Sequence, residues 1–241
     1  MLKLMRKIKR WFKGRDKAWL EPTPNGTAPS AEQVFSYIYS NNVWSDAESA
    51  SGVGSNLKQT RVLREQLPGL LKDLDVRSML DIPCGDFHWL NQTALPVESY
   101  LGADIVKAIV ETNQSRHARS EGNRSIRFEH LNLLESNLPR VDLILCRDCL
   151  VHFSTADVWR ALRQIQGSGS TYLLTTTYPG RANDGDIRTG EWRPLNLEGT
   201  PFLLPKPRLT LLEGCTERKG RFPDKSLALW AIADLDLQKG Q

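Results

Sequence analysis

Residues 78–90 read SMLDIPCGDFHWL, an apolar run that ends at Asp81 and breaks into a Pro-Cys-Gly-Asp turn. Such a junction carries a strand to the carboxyl edge of a parallel sheet, where free backbone N–H groups collect and nucleotide-like ligands bind. Residues 99–104, SYLGAD, read as a second strand ending in Asp104, 23 positions after Asp81. A carboxylate at about that distance beyond the first turn is placed to accept hydrogen bonds from ribose hydroxyls. The pair predicts a nucleoside site. The turn lacks G-x-G-x-x-G, with Gly85 alone where its glycines would stand, which disfavours a dinucleotide-dependent hydride transfer.

DIPCGDF resembles the first motif of the class I S-adenosylmethionine-dependent methyltransferase family, an acid followed by alternating glycines that close the first strand. Asp81 supplies the acid and Gly85 the central glycine, while Pro83 and Phe87 stand where the commoner pattern has glycine. The block WSDAESASGVGS at residues 44–55, ahead of this turn, is similar to one found in bacterial methyltransferase-like proteins that carry a DxPCGD motif. The resemblance implies an α/β fold, a Rossmann-like seven-stranded mostly parallel sheet with helices on both faces and a reversed last strand. It also implies S-adenosylmethionine as cofactor. Carried position by position, it assigns the ribose diol to Asp104 and a backbone contact with the methionine moiety to Gly85. Asp81, Pro83, Cys84, Asp86, Ile105 and Leu133 complete the expected lining, with Arg147 beside them. Where the family commonly has an acid near adenine, HLNLL offers Asn132, whose side-chain oxygen can accept from the exocyclic amine.

The rest of the chain alternates strand-like and helical runs, which predicts a mostly parallel sheet covered on both faces. Residues 105–119 have a helical apolar spacing at Ile105, Ile109 and Val110. Residues 125–130 and 141–146 read as the third and fourth strands, residues 155–166 as a helix with Thr155 as cap, and residues 171–177 as the fifth strand. Residues 207–213 and 226–232 supply two closing strands. Residues 178–207, rich in Pro, Gly, Asn and charge, are too long for a simple connection and read as a binding segment or a solvated excursion. We divide the chain into a basic amphipathic arm (1–20), a helical extension with a Gly/Ser-rich flap (21–75) and a methyltransferase domain (76–241). The flap, residues 45–55, reads either as a linker or as a cover over the site.

Residues 1–17 carry eight Lys or Arg against Asp16, about +7, whereas the remainder has 24 basic and 27 acidic residues, about −3. The overall +4 therefore hides a basic arm on a mildly acidic body. On a helical wheel Leu4, Met5, Ile8, Trp11 and Phe12 share one arc, a pattern suited to an anionic membrane surface. A solvated arm or a helix packed on the body is the other reading. Nucleic acid is disfavoured as a partner because the body is not basic. With no long apolar run, no cleavable leader after the basic stretch, and Cys84 and Cys146 at strand ends where reduced thiols would line a site, the expected home is the cytoplasm, including the inner membrane face; the single Cys146–Cys149 CxxC pair is weak evidence for a metal, and none is expected.

Methyl transfer from a sulfonium is an in-line displacement governed by alignment, with a base needed when the acceptor is a hydroxyl. CRDCLVHF at residues 146–153 places Asp148 and His152 four apart at the end of the fourth strand, on one face if the stretch begins a helix. Either is a candidate catalytic base, and Arg147 is a candidate for holding an anionic acceptor. A small molecule or a sugar or glycan hydroxyl is the expected acceptor. Tyr178, Arg181, Asn183, Asp184, Asp186, Arg188 and Trp192 of the long loop are candidates for binding a polyol. A cofactor-binding protein without catalysis and a protein or peptide methyltransferase are the alternatives.

Overall fold

The computed structural model describes residues 17–23 and 25–237. Nearly all of the basic arm lies outside them. Helix α1 (Ala31–Ser40) starts at a capping box, in which Ser30 Oγ accepts from Gln33 N and Gln33 reaches back to Ser30 N. Its Val34 and Ile38 bury against Trp19 and Leu20. Helix α2 (Arg61–Asp73) follows, then strand β1 (Ser78–Asp81), strand β2 (Ser99–Asp104) and helix α3 (Lys107–His117). Next come β3 (Arg119–Glu121), β4 (Arg124–His130), β5 (Leu143–Cys146), helix α4 (Thr155–Gly167), β6 (Tyr172–Thr177), β7 (Leu209–Leu212) and β8 (Ser226–Ala231).

One eight-stranded sheet has the order β3-β4-β2-β1-β5-β6-β8-β7. β4, β2, β1, β5 and β6 run parallel, and β8 lies antiparallel to both β6 and β7. The reversed strand is the one expected. The eighth strand is not: the helix expected to run to residue 119 stops at His117, and Arg119–Glu121 folds back on Arg124 through Gly122, whose φ of +55° suits a tight hairpin. The cap of α4 is Ser154 rather than Thr155, its hydroxyl accepting from Asp157 N.

The central strands read as continuous apolar runs because both faces are covered. Successive residues alternate between two cores. Leu80, Ile144, Leu173, Ala228 and Trp230 face one with Val158, Leu162 and Ile165 of α4. Met79, Leu143, Leu145, Leu174 and Leu229 face the other with Leu63, Leu67 and Leu71 of α2. Helix α2 therefore shares the core of residues 76–237, although it precedes the first motif.

Because β1, β2, β4 and β5 are parallel, the turns after Asp81, Asp104, His130 and Cys146 all open at one edge of the sheet. Chain order reverses there between β1 and β5, which leaves a crevice at the switch point. Among the described residues no helix is long and apolar enough to cross a membrane.

Candidate active site

The crevice is a cavity of about 1030 Å³ including its open mouth, and its wall contains every candidate cofactor and catalytic residue read from the sequence. Asp81, Pro83, Cys84, Gly85 and Asp86 come from the first turn, Asp104 and Ile105 from the end of β2, Asn132 and Leu133 from the turn after β4, and Arg147, Asp148 and His152 from beyond β5.

Asp104 holds the first turn in place: its Oδ2 accepts from Gly85 N at 3.1 Å and its Oδ1 from Val106 N at 2.8 Å. Burial pushes its carboxyl up to about 6, against those two amides. Asp81 is buried too, and accepts from Tyr100 Oη at 2.7 Å. Burial raises it further, to about 7, with the Tyr100 bond opposing. Each carboxylate oxygen keeps a lone pair beyond these bonds.

Asn132 does not present its oxygen as expected. Oδ1 accepts from Leu134 N at 2.9 Å and so closes the turn after β4. Among the described residues the Asn132 amide NH₂ has no hydrogen-bond partner, which leaves it able to donate to an adenine ring nitrogen.

Arg147, a candidate for holding an anionic acceptor, is already engaged within the protein. Its guanidinium is buried, donates to Glu213 Oε2 at 2.7 Å and Gly54 O at 2.9 Å, and lies 3.2 Å from Asp148. Lys225, equally buried, donates to Asp148 Oδ2 at 2.7 Å and lies 3.6 Å from Glu213 and 3.5 Å from Glu217. Nothing in the sequence marked Lys225, Glu213 or Glu217, because they come from loops and strand ends 66 or more residues away from Arg147.

The CRDCLVHF stretch forms no α-helix. Asp148 has φ +52°, rare for a residue with a side chain, and Leu150–His152 is a single 3-10 turn. Asp148 and His152 therefore differ sharply in environment. Burial would raise Asp148, but Arg147 and Lys225 outweigh it and hold the carboxyl down at about 2. A carboxylate so stabilised is a poor proton acceptor. His152 is lowered by burial, against the opposing pull of its bond to Glu191 and of Asp148. Its Nδ1 lies 2.8 Å from Glu191 O. A carbonyl only accepts, so Nδ1 carries the proton and Nε2 keeps its lone pair.

The Gly/Ser-rich segment covers this edge. Asp86 accepts from Ser49 Oγ at 3.1 Å, Ala50 N at 2.8 Å and Ser51 Oγ at 3.2 Å, while Asp86 N donates to Ser51 Oγ at 3.0 Å. Glu48 adds a pair with His88 at 2.9 Å. A Cβ on Gly85 would fall 2.1 Å from Ser51 Oγ, and one on Gly54 would fall 3.0 Å from Asp148 Oδ2. The glycines thus admit close approach between the cover and the site.

The long loop serves other ends than the polyol site expected of it. Asn183 donates to Asn196 O and Thr200 O, Asp186 accepts from Thr155 N, and Arg181 pairs with Asp224. Tyr178 and Trp192 pack with Phe222, and Asp184 and Arg188 are exposed. None of the seven residues lines the cavity. The loop reaches the site from behind, through Glu191 O on His152 and Gly190 N on His152 O.

No protein-family model and no curated protein sequence matches the chain. Among solved structures, human N-acetylserotonin methyltransferase in complex with SAM is similar over 84% of this chain and 60% of its own, at 13% identity and TM-score 0.56. Magnesium protoporphyrin IX methyltransferase of Synechocystis PCC 6803 with bound SAM is similar over 84% of this chain and 97% of its own, at 12% identity and TM-score 0.51. The match to the methyltransferase domain of bacterial CtHen1 spans 51% of this chain and 66% of that one, at 15% identity and TM-score 0.43. At these identities the likeness is one of fold, and the fold is that of the class I methyltransferases.

Proposed function

We propose that this protein is an S-adenosylmethionine-dependent methyltransferase that methylates a hydroxyl of a small molecule. The observation that carries the reading is the convergence of Asp81, Gly85, Asp104, Asn132 and His152 on one cavity at the switch point of the sheet. The donor set suits the cofactor. Asp104 would take the ribose diol, Ile105 and Leu133 the faces of the adenine, the Asn132 amide its edge, and the Gly85 turn with Asp81 the methionine part. Carboxylates around the cavity favour a ligand bearing a sulfonium and an ammonium group.

Bound there, the cofactor would supply an already activated methyl group. The chain's own tasks are then alignment, exclusion of water and proton removal. The cover clamped by Asp86 closes the edge. His152, neutral near pH 7 and fixed in its tautomer by Glu191 O, offers Nε2 as the base. Asp148 stays ionised beside it and anchors the Arg147–Lys225 cluster.

The test uses methyl-labelled cofactor and an extract of small metabolites from cells lacking the protein. One metabolite should gain a labelled methyl group. His152→Gln should lower that rate on the order of 10²–10⁴-fold with cofactor affinity retained, and Asp148→Asn should show mainly as lost stability. Absence of any labelled metabolite counts against the activity, and an undiminished rate in His152→Gln counts against the base.

A further inference from the structure

The cavity has two unlike halves. Over β1, β2 and β4 it presents the carboxylates of Asp81, Asp86 and Asp104 and the Asn132 amide among aliphatic side chains such as Ile105 and Leu133. Beyond β5 it is walled by the mutually paired Arg147 and Asp148 and by five rings, those of Phe35, Tyr39, Trp44, His152 and Phe153. The Trp44 and His152 rings lie 4.9 Å apart at 32°, Phe35 sits 6.3 Å from Trp44, and Phe35 sits 6.0 Å from Phe153. Trp44 is half-buried and immediately precedes the cover. Its place depends on Gly52, at φ +91°, where a Cβ would fall 2.9 Å from Trp44 Cβ.

Charge narrows the choice of occupant. At the back of this half the wall residues Arg147 and Asp148 are tied to Glu213, Glu217 and Lys225, and Arg218 lies over the Trp192 ring at 4.4 Å. Three acids meet three cations, so the surroundings hold no surplus positive charge. An anionic acceptor would have to pull Arg147 or Lys225 out of buried pairs. A polyol fares no better, because most of its hydroxyls would face ring carbon and lose their hydrogen bonds with water. A flat, uncharged ring matches the wall through offset or tilted stacking.

Resting on the methyltransferase reading above, we propose that the acceptor is an uncharged aromatic compound carrying a ring hydroxyl, seated against Trp44 with that hydroxyl at His152 Nε2. The ring O–H gives its proton to Nε2. The oxygen forms the new C–O bond as the methyl–sulfur bond breaks, and that bond's electron pair stays on sulfur, leaving a neutral thioether. The imidazolium returns its proton to water. Trp44 is then a specificity-determining residue that acts by contact with the ring.

Saturation-transfer NMR on the full chain loaded with S-adenosylhomocysteine tests this, with catechol, 2-naphthol, benzoate, phenyl phosphate and methyl glucoside as probes. Catechol and 2-naphthol should bind and the other three should not. Trp44→Ala should weaken the two phenols at least tenfold, by far more than it changes S-adenosylhomocysteine affinity, and Trp44→Phe should restore most of the loss. The proposal is overturned by silent phenols on the loaded protein, by binding of benzoate, phenyl phosphate or the glucoside at comparable strength, or by phenol binding indifferent to Trp44→Ala. Failure of S-adenosylhomocysteine itself to bind would instead strike down the methyltransferase reading beneath it.

Discussion

Replacing Asp86 by Ala should release the cover from the site without unfolding the sheet. The Asp86 carboxylate accepts from Ser49 Oγ, Ala50 N and Ser51 Oγ, and no backbone ladder holds those three residues. Ala50 is exposed, so the 2.8 Å bond from its amide to Asp86 Oδ2 is what protects that proton from water. A hydrogen bond to a charged group contributes about 1.5–3 kcal/mol net. At about 1.4 kcal/mol per factor of ten, exchange of the Ala50 amide should quicken roughly 10- to 150-fold in Asp86→Ala. Residue-resolved hydrogen exchange at neutral pH reads this directly. Amides of Leu80 and Leu145, inside the central strands, should keep their parent rates. An Ala50 amide that exchanges no faster would refute the clamp. Acceleration spread evenly over β1 and β5 would refute it as well, since Asp86 would then be holding the whole fold.

Lys225→Met strips Asp148, Glu213 and Glu217 of a shared buried cation. Breaking such a cluster from one side costs about 3–5 kcal/mol, which for a chain of this size lowers Tm by roughly 10 °C; a fall under about 2 °C would contradict the reading. Asp81 gives a pH dependence of definite sign. Its folded carboxyl is raised to about 7 from 3.8, so its contribution to stability is full in acid and is lost as pH rises through about 7. Asp81→Asn has no charge to bury and should be more stable than the parent above pH 7, by on the order of 2–4 kcal/mol, with the gap closing towards pH 4. Urea unfolding of the cofactor-free protein at pH 5 and pH 8 checks this, and a gap that fails to widen with pH would contradict it.

How far the sequence could be read follows from the range of the interactions involved. The parallel strands were legible because burial on both faces writes an uninterrupted apolar run, as in residues 143–146 and 173–174. The acids at the strand ends were legible because strand length and turn chemistry are local. The third strand was missed because Arg119–Glu121 is exposed, polar and three residues long, leaving no periodicity to detect. Lys225 and Glu213 were missed for a different reason: their pairing with Arg147 is set by tertiary packing across the chain. Asn132 was misread because the local turn to Leu134 claimed its oxygen, and the long loop because Arg181 and Asp186 pair with residues outside it, Asp224 and Thr155. The Asp148–His152 spacing suggested a shared helical face, but the left-handed conformation at Asp148 breaks that geometry.

Every role proposed above depends on the cavity being a site for S-adenosylmethionine, with Asp104 on its ribose. Calorimetric titration of the parent chain and of Asp104→Ala, with S-adenosylmethionine and separately with NAD, measures this most directly. The expected result is saturable binding of S-adenosylmethionine by the parent, little or none of NAD, and a loss of about 1.5–3 kcal/mol in the variant, roughly 10- to 150-fold in Kd. Equal binding by parent and variant, or preference for NAD, would contradict it.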